Sequence, residues 1–342
     1  MVGGALMAAE MAEQPAVLAG LASRRLEIIE RVRAVVPEPL NGIVLIARGS
    51  SDHAAIYGRY VLQPAAARPV VLAAPSLHTL YNSPLHCPGY LAVAVSQSGR
   101  TPEIVTVLER HMAAGATGIA VTNDPGSPLA ELAQTTIELG AGDERAVPAT
   151  KTFTSELAAF AIVAEALGEV PWGSEDWAAL PSALTDVLED LEPARRVAEG
   201  LAGAEGLISV GRGYLFSVAL EAALKLKETT SLLAEGYSAA DLRHGPVAVI
   251  ERDFPVLAFS APGPAAGDMN ELTEWLALTR GARIYKAAPR ADAQLPLPPG
   301  VPEALMPIPA VVRAQQVAHE LALHKGMNPD APEGLTKITP TI

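Results

Sequence analysis

The sequence repeats itself at an offset of 164 residues. The stretch 42–49 (GIVLIARG) aligns with 206–213 (GLISVGRG), and the same offset places 94–99 (AVSQSG) on 258–263 (AFSAPG). Two regions that match at one constant offset predict two copies of the same structural unit. A chain of 342 residues is long enough for two domains of ordinary size.

Each copy is predicted to be an α/β unit built on a parallel sheet. Short apolar runs at 43–47 and 90–95 each end in a polar loop, and a third run spans 118–121. A stretch with helical periodicity at 103–114 separates the second run from the third. Buried strands that alternate with helices are joined as right-handed βαβ units, so the strands are expected to be parallel.

The composition excludes several classes of protein. Lys and Arg number 25 against 38 Asp and Glu, a formal net charge of −13, whereas nucleic-acid binding favours clustered positive charge. The sequence shows neither a long uncharged apolar run nor a signal-peptide pattern. Its single cysteine, Cys87, excludes an intramolecular disulfide and fits a reducing compartment. We therefore expect a cytoplasmic protein that binds neither nucleic acid nor a membrane.

The polar loop at 96–103 is the strongest local signal. It leaves a predicted strand with three hydroxyls and an amide, then begins a helix with Thr101 as N-cap and Pro102 as first residue. Backbone N–H groups at such a helix start bind phosphate together with hydroxyls. An ordinary capped turn explains Thr101 and Pro102 but not the Ser-Gln-Ser run. Residues 260–265 of the second copy lack most of these groups, so the first loop alone is expected to hold a ligand.

Gly211 and Gly213 match the first two glycines of a dinucleotide-binding fingerprint. The third glycine is replaced by Phe216, and the following thirty residues are expected to be helical, without the strand that carries the ribose-binding acid. A nicotinamide cofactor is therefore not expected.

The helix predicted at 220–228 carries charged residues at helical spacing. Lys225 and Glu228 lie on one face, and Glu221 precedes Lys225 by four residues. A surface salt-bridge ladder has the same spacing. The helix is followed, however, by His244 in a Gly-Pro turn, which adds an acid–base side chain to the Lys/Glu pair. Both interpretations are open at this point.

Taken in order, these stretches resemble the pair of sugar isomerase (SIS) domains of glucosamine-6-phosphate synthase. The resemblance implies two flavodoxin-like parallel-sheet domains in tandem, with helices on both faces, and one composite site for a hexose or hexosamine 6-phosphate. The matching stretches are EQP at 13–15, RGSS at 48–51, SQSG at 96–99, TKTF at 150–153, GRG at 211–213, ALKLKE at 223–228, HGP at 244–246 and Lys337.

The resemblance also implies roles for individual residues. Glu228 corresponds to the base that moves a proton between C1 and C2, and His244 to the ring-opening histidine, which in relatives comes from the partner subunit of a dimer. Lys225 and Lys337 match lysines at the reacting end of the sugar, and no metal or organic cofactor is implied. The backbone near Val147 would contact the sugar. Five side chains would hold the phosphate: Ser51, Ser96, Gln97, Ser98 and Thr101.

Five segments are expected along the chain. They are an N-terminal helical segment (1–27), a first SIS domain with the phosphate loop (28–167), a linker helix region (168–194), a second SIS domain (195–326) and a C-terminal tail that closes the active site (327–342). The prolines between 295 and 309 predict a loop before a last helix at 311–325.

Departures from the synthase favour a different reaction. Cys87 is interior and 41 residues precede the first strand, so the N-terminal cysteine of a glutaminase domain is not expected. The tail 334–337 (GLTK) and the loop 147–151 (VPATK) are more similar to the SIS-type glucosamine-6-phosphate deaminases. We therefore expect an isomerising deaminase that yields fructose 6-phosphate and ammonia. The alternatives are another aldose–ketose isomerase, an ammonia-dependent or deglycase activity on a sugar–amine phosphate, and a non-catalytic phosphosugar-binding regulator.

Overall fold

The computed structural model describes residues 3–337 and contains two five-stranded sheets with parallel pairing throughout. The strands are β1 (Gly42–Ile46), β2 (Val70–Leu72), β3 (Tyr90–Val95), β4 (Thr117–Thr122), β5 (Thr135–Glu138), β6 (Gly206–Gly211), β7 (Leu233–Ser238), β8 (Pro255–Phe259), β9 (Arg283–Ala288) and β10 (Leu295–Pro296). The first sheet has the order β2-β1-β3-β4-β5 and the second the order β7-β6-β8-β9-β10, the flavodoxin-like arrangement in both cases. The predicted α/β architecture with tandem parallel sheets is confirmed.

Helices connect these strands and cover the sheets. No helix within residues 3–337 combines the length and the apolar character that crossing a membrane requires. In chain order the helices are α1 (Ala5–Ala12), α2 (Gln14–Ser23), α3 (Arg25–Arg33), α4 (Ser50–Ala66), α5 (Ser76–Thr79), α6 (Pro102–Ala113), α7 (Pro128–Leu132), α8 (Lys151–Leu167), α9 (Ser174–Glu189), α10 (Glu192–Leu201), α11 (Phe216–Thr230), α12 (Ala239–Arg243), α13 (Ala266–Trp275) and α14 (Pro307–His324).

The chain divides into two compact units. The first unit, which contains the first sheet, consists of residues 16–144 and 151–173. The second unit, which contains the second sheet, consists of residues 3–15, 145–150 and 174–337. Helix α1 and the loop 145–150 therefore belong to the unit of the second sheet. The five-segment division drawn from the sequence stays a prediction.

The 164-residue offset holds for whole elements. Strands β1 and β6 begin at residues 42 and 206, and helices α6 and α13 begin at residues 102 and 266. In each copy the central strand ends just before the helix that packs on its sheet. That packing uses small and branched side chains from the strands against one face of the helix. The residues are Ala92, Ala94 and Ala120 with Ile104, Val107 and Leu108 in the first copy, and Ile208, Val256 and Ala258 with Met269 and Leu272 in the second.

Two expectations about the second copy are wrong. The residues after α11 form strand β7 at 233–238 rather than further helix. The proline-rich stretch contains the two-residue strand β10, and helix α14 begins at Pro307 rather than at 311. Both strands lie at sheet edges, where half of the backbone groups need no ladder partner, so their sequences show little apolar periodicity. Proline is well tolerated in the first turn of a helix, which explains the earlier start of α14.

Two buried histidines face each other in the first unit. The ring centroids of His78, in α5, and His111, in α6, lie 4.7 Å apart. Nδ1 of His111 lies 2.7 Å from the Val107 carbonyl oxygen, whereas Nδ1 of His78 has no hydrogen-bond partner in the described part of the chain. Burial lowers the pKa of both rings, and the neighbouring His111 and Arg110 lower the pKa of His78 further. Both rings are therefore neutral at pH 7.

The histidine pair predicts a loss of stability in mild acid. The unfolded chain binds protons on both histidines below pH about 6.5, while the folded chain resists protonation, so the free energy of unfolding falls as the pH falls. The limiting slope is about 1.4 kcal/mol per pH unit for each histidine. Urea unfolding at several pH values between 7.5 and 5 measures the slope of the free energy of unfolding with pH. The double variant His78→Gln/His111→Gln is expected to flatten the slope, and His86→Gln, at an exposed histidine, is expected to leave it unchanged. Equal slopes in all three proteins would contradict the assignment.

Candidate active site

The loop between β3 and α6 is anchored by its backbone. The Ser96 N–H donates to the Val121 carbonyl at 3.1 Å and extends the β3–β4 pairing by one step. The Gly99 N–H then donates to the Ser96 carbonyl, and the Asn123 N–H donates to the Gln97 carbonyl, both at 3.0 Å. The loop's carbonyl groups are thus engaged with the protein, while its side chains are left at the carboxyl edge of the sheet, where parallel α/β sheets bind ligands.

The start of α6 brings two of the predicted phosphate ligands together. Thr101 is the N-cap and Pro102 the first helical residue, as the sequence predicts. The Thr101 hydroxyl makes no capping hydrogen bond but lies 3.4 Å from the Ser96 hydroxyl. Ser98 Oγ accepts from the Arg100 N–H at 3.3 Å. An ordinary capped turn would use the threonine hydroxyl to cap the helix, so this arrangement favours the phosphate-binding interpretation.

An arginine–glutamate pair that the sequence analysis missed lies beside this loop. Arg48 follows β1 and donates two hydrogen bonds, at 2.8 and 3.0 Å, to the carboxylate of Glu103 in the first turn of α6. Glu103 is buried and Arg48 is half exposed. The bidentate pair joins the ends of two neighbouring strands and balances a carboxylate that would otherwise repel an anion at the same helix start. The sequence does predict β1 and β3, and the carboxyl ends of parallel strands share one edge of a sheet. A contact between Arg48 and Glu103 is therefore within reach of sequence reasoning.

Ser51 has a different environment from the loop hydroxyls. It lies in the first turn of α4, and its hydroxyl donates a 2.8 Å hydrogen bond to Oε1 of Glu156 in α8. Both residues are buried. Ser51 is thus the one predicted phosphate ligand whose hydroxyl is hydrogen-bonded to a carboxylate within residues 3–337.

A buried ion cluster on α11 contains the predicted base. Lys225 Nζ lies 2.5 Å from Glu228 and 3.2 Å from Glu221. Lys225 and Glu221 are fully buried, whereas the Glu228 side chain keeps 21% of its exposure. Burial lowers the pKa of Lys225, but the two carboxylates outweigh that effect and raise it above its ordinary value. Lys225 is therefore a permanent cation, and the surface-ladder interpretation of this spacing is wrong.

The other predicted catalytic residues lie on loops of the second unit. Lys337 Nζ donates to the Ala146 carbonyl at 2.8 Å, and the Val147 N–H donates to the Asp330 carbonyl at 2.9 Å, so the tail and the 145–150 loop are joined. His244 ends α12, is exposed, and its ring forms no hydrogen bond or ion pair with any other residue of 3–337. Lys225 thus contacts Glu228, and Lys337 contacts the loop 145–150. The ring of His244 makes no hydrogen bond or ion pair with any of these predicted residues.

The second copy of the polar loop holds a carboxylate of its own chain. Gly263 corresponds to Gly99, and a Cβ atom at Gly263 would overlap the carboxylate of Glu303. Burial raises the pKa of Glu303, and a hydrogen bond from the Ala265 N–H at the start of α13 lowers it. Glu303 therefore provides the negative charge that the start of α13 requires. This agrees with the expectation that the second loop holds no ligand.

Without the Glu303 carboxylate, the start of α13 is expected to be stabilised by a free anion instead. Glu303→Ala should lower the free energy of unfolding by about 1 kcal/mol, the usual loss for a helix cap. Inorganic phosphate should then raise the melting temperature of the variant more than that of the unaltered protein, which calorimetry would measure. Glu271→Ala, at an exposed glutamate on α13, serves as the matched control. An equal response to phosphate in all three proteins would refute the role given to Glu303.

Comparison with known proteins agrees with this geometry. A family model described as the SIS domain matches residues 40–166 and 200–286, one segment in each copy. A glutamine–fructose-6-phosphate aminotransferase (isomerizing) from Thermococcus kodakarensis is 33% identical over 347 residues, which cover 97% of this chain and 57% of the relative. The chain thus spans little more than half the length of that relative.

Solved structures show the same fold over nearly the whole chain. A proposed phosphosugar isomerase from Silicibacter pomeroyi DSS-3 superposes with a TM-score of 0.85 at 32% identity, covering 95% of this chain and 99% of the other. A glucosamine-6-phosphate deaminase from Thermotoga maritima superposes with a TM-score of 0.80 at 20% identity, covering 98% and 100% of the two chains, which shows the shared fold. The chain therefore belongs to the SIS domain family, with two SIS segments homologous to the isomerase half of glutamine–fructose-6-phosphate aminotransferase.

Proposed function

We propose that this chain is an isomerising deaminase that converts glucosamine 6-phosphate to fructose 6-phosphate and ammonia. The observation that carries the proposal is the buried cluster on α11, in which Lys225 is fixed between two carboxylates and Glu228 alone of the three keeps access to solvent. Charges are buried at considerable cost unless they are paired, and such clusters are typical of catalytic sites. Membership of the SIS family supports a sugar phosphate as the ligand.

The loop at the start of α6 binds the phosphate. The adjacent hydroxyls of Ser96 and Thr101 donate to the phosphate oxygens, with Gln97 and Ser98 completing the loop. The Arg48–Glu103 pair keeps the helix start close to neutral. No lysine is required for this, which explains how an acidic chain binds an anion.

Glu228 transfers the proton between C2 and C1. His244 opens the ring by giving a proton to the ring oxygen as the bond from C1 to that oxygen breaks, and it recovers a proton from the anomeric hydroxyl, which leaves an aldehyde at C1 and the amine at C2. Glu228, held in place by the buried Lys225, then removes the C2 proton and returns it to C1, through an enolamine whose C1 oxyanion is stabilised by the Lys337 ammonium group. The C1 oxygen takes up a proton as the nitrogen loses one, so the product is an imine at C2 with a hydroxyl at C1. Water adds to this imine, ammonia leaves, and a ketone remains at C2.

Deamination is preferred to the other SIS reactions because of two segments that lie together. The tail 334–337 and the loop 147–151 resemble those of the SIS-type deaminases, and Lys337 donates to the carbonyl of Ala146, the residue directly before that loop. We propose in addition that the enzyme acts in the cytoplasm as a homodimer in which His244 serves the partner's site. The exposed position of His244, without side-chain partners in residues 3–337, supports that arrangement.

Ammonia release from glucosamine 6-phosphate tests the reaction. Glu228→Gln removes the base and keeps the shape, so kcat is expected to fall by a factor of about 10² to 10⁴. Lys227→Gln, at the exposed neighbour on the same helix, should leave kcat within about twofold. The assay couples ammonia to glutamate dehydrogenase. Isomerisation of a ketose phosphate without ammonia would show an isomerase instead, and tight sugar-phosphate binding without turnover would show a regulator.

The phosphate loop is tested by a separation of KM from kcat. Ser96→Ala and Thr101→Ala each remove a donor to a phosphate that does not react, so KM is expected to rise about tenfold while kcat changes little. Thr106→Ala, which removes a hydroxyl from the body of α6, is the matched control. Initial rates over a range of substrate concentrations give both constants. A fall in kcat with unchanged KM would remove these residues from phosphate binding.

A further inference from the structure

The position of His244 depends on the backbone around it. Its ring is exposed and forms no hydrogen bond or ion pair with any other residue of 3–337. Gly245 follows it with a φ of 132°, a conformation that favours glycine. A group that moves protons must lie within hydrogen-bond distance of the atoms it serves. The contacts that fix the backbone at 244 therefore decide where the ring can lie.

The helix before His244 is too short to hold that position by itself. Helix α12 has five residues, fewer than an isolated helix needs for stability. Its last residue, Arg243, donates to Oδ1 of Asp268 at 2.7 Å and to the Asp268 carbonyl at 3.2 Å. Asp268 lies in the first turn of α13, which packs on the second sheet through Met269 and Leu272. The residue next to His244 is thus joined to a helix of the core.

Asp268 is held by a second arginine. Nε of Arg212, the residue after β6, lies 3.4 Å from Oδ2 of Asp268, and Nη1 of Arg212 donates to the Ser238 hydroxyl at 3.3 Å. Ser238 is the N-cap of α12, so Arg212 and Arg243 contact opposite ends of that helix and meet at one carboxylate. The three charged side chains keep between 32% and 41% of their exposure. Partly exposed ion pairs contribute little to stability, so the network is better explained by the geometry that it fixes.

The first copy joins its corresponding helices in another way. At the 164-residue offset, Arg212 corresponds to Arg48, whereas Arg243 corresponds to Thr79 in α5. The Thr79 hydroxyl donates to the carbonyl four residues before it, and α5 is joined to α6 by Arg110, which donates to a carbonyl of α5. In the second copy the joining arginine lies on the short helix itself, directly before the histidine.

The chain after His244 is held by a further arginine. Residues Pro246–Val249 form one turn of 3₁₀ helix. Arg280 donates to the Ile250 carbonyl at 3.0 Å and to the Ala248 carbonyl at 3.2 Å, and it ends the helical segment that continues α13. His244 and Gly245 thus lie between two segments that are both anchored to residues 266–280.

We propose that Asp268 is a positioning residue for ring opening, because through Arg243 it fixes the backbone that carries His244. In that step His244 gives a proton to the ring oxygen as the bond from C1 breaks, and it recovers a proton from the anomeric hydroxyl. One imidazole must therefore reach two atoms of the sugar, and a displacement of about 1 Å can lower such a rate by about 100-fold. The inference rests on the proposed function, because it takes His244 as the ring-opening group.

Exchange between the anomers of glucosamine 6-phosphate measures ring opening alone. The Glu228→Gln protein lacks the base but keeps His244, so an opened sugar can close on either face of C1 and reacts no further. Exchange NMR gives the rate that the protein adds to the spontaneous rate, and titration calorimetry gives the affinity. Adding His244→Gln is expected to abolish the added exchange, which identifies its source.

Asp268→Asn in the same background is expected to slow the added exchange about tenfold and to change the affinity less than about twofold, since the phosphate loop is untouched. Arg243→Ala should act in the same way. Arg243→Lys keeps a cationic donor and should restore the exchange to within about threefold of the Glu228→Gln protein. A purely structural role would not separate the rate from the affinity.

Glu271→Gln is the matched control, because it also converts a carboxylate on α13 to an amide, at an exposed position. It should leave the exchange rate and the affinity within about twofold. Thermal unfolding checks that each variant is folded.

The possible outcomes distinguish this inference from the proposed reaction. If Asp268→Asn exchanges the anomers at the unchanged rate, or loses affinity in step with the rate, the inference is overturned. If the Glu228→Gln protein adds no exchange, or His244→Gln keeps it, His244 does not open the ring and the inference also fails, while ammonia release by the protein with Glu228 intact would still support a deaminase. The expected pattern without ammonia release would overturn the proposed reaction and leave the role of Asp268 standing.

Discussion

The positive end of one helix dipole in each copy, at the edge of its sheet, is the constraint that the two copies meet in different ways. In both copies a central strand ends in a short loop and a helix begins with its N–H groups at the sheet edge, where they favour a negative charge. The second copy supplies that charge from Glu303. The first copy has the hydroxyls of Ser96 and Thr101 in the same position, and its nearby carboxylate, Glu103, is paired with Arg48. One repeated geometry thus serves stability in one copy and, by our proposal, binding in the other.

The charged cluster on α11 is a second departure from what stability requires. One lysine between two carboxylates leaves a net charge of −1, and two of its three members are fully buried. Apolar side chains would fill the same volume at a lower desolvation cost. The arrangement makes sense if the fixed cation holds Glu228 in one orientation, since a base that abstracts a proton from carbon must be aimed at that carbon. The buried Glu221 is a second carboxylate beside Lys225 and, with Glu228, keeps the lysine protonated.

The sequence predicted those features that depend on neighbouring residues. Apolar runs that end in polar loops marked β1, β3 and β4, and the constant offset located the second sheet. The interactions that the sequence could not supply join residues far apart: Arg48 and Glu103 are separated by 55 positions, and Ser51 and Glu156 by 105. A residue type gives a side chain its donors and acceptors, but only the packing of α4 on α8 decides that the proton of Ser51 is used inside the protein.

The second unit shows why residues from both ends of the chain are needed for one loop. The carboxylate of Glu10, in α1, accepts from the Ala146 N–H, and the carbonyl of Ala146 accepts from Lys337. Asp330 adds a hydrogen bond to Val147 through its carbonyl. The loop 145–150 is thus held on one side by the N-terminal helix and on the other by the tail. The backbone N–H and the backbone carbonyl of Ala146 thus contact Glu10 and Lys337, which are 327 positions apart in the chain. By our proposal this loop presents its backbone to a sugar, and the hydrogen bonds with Glu10, Asp330 and Lys337 hold it in place for that role.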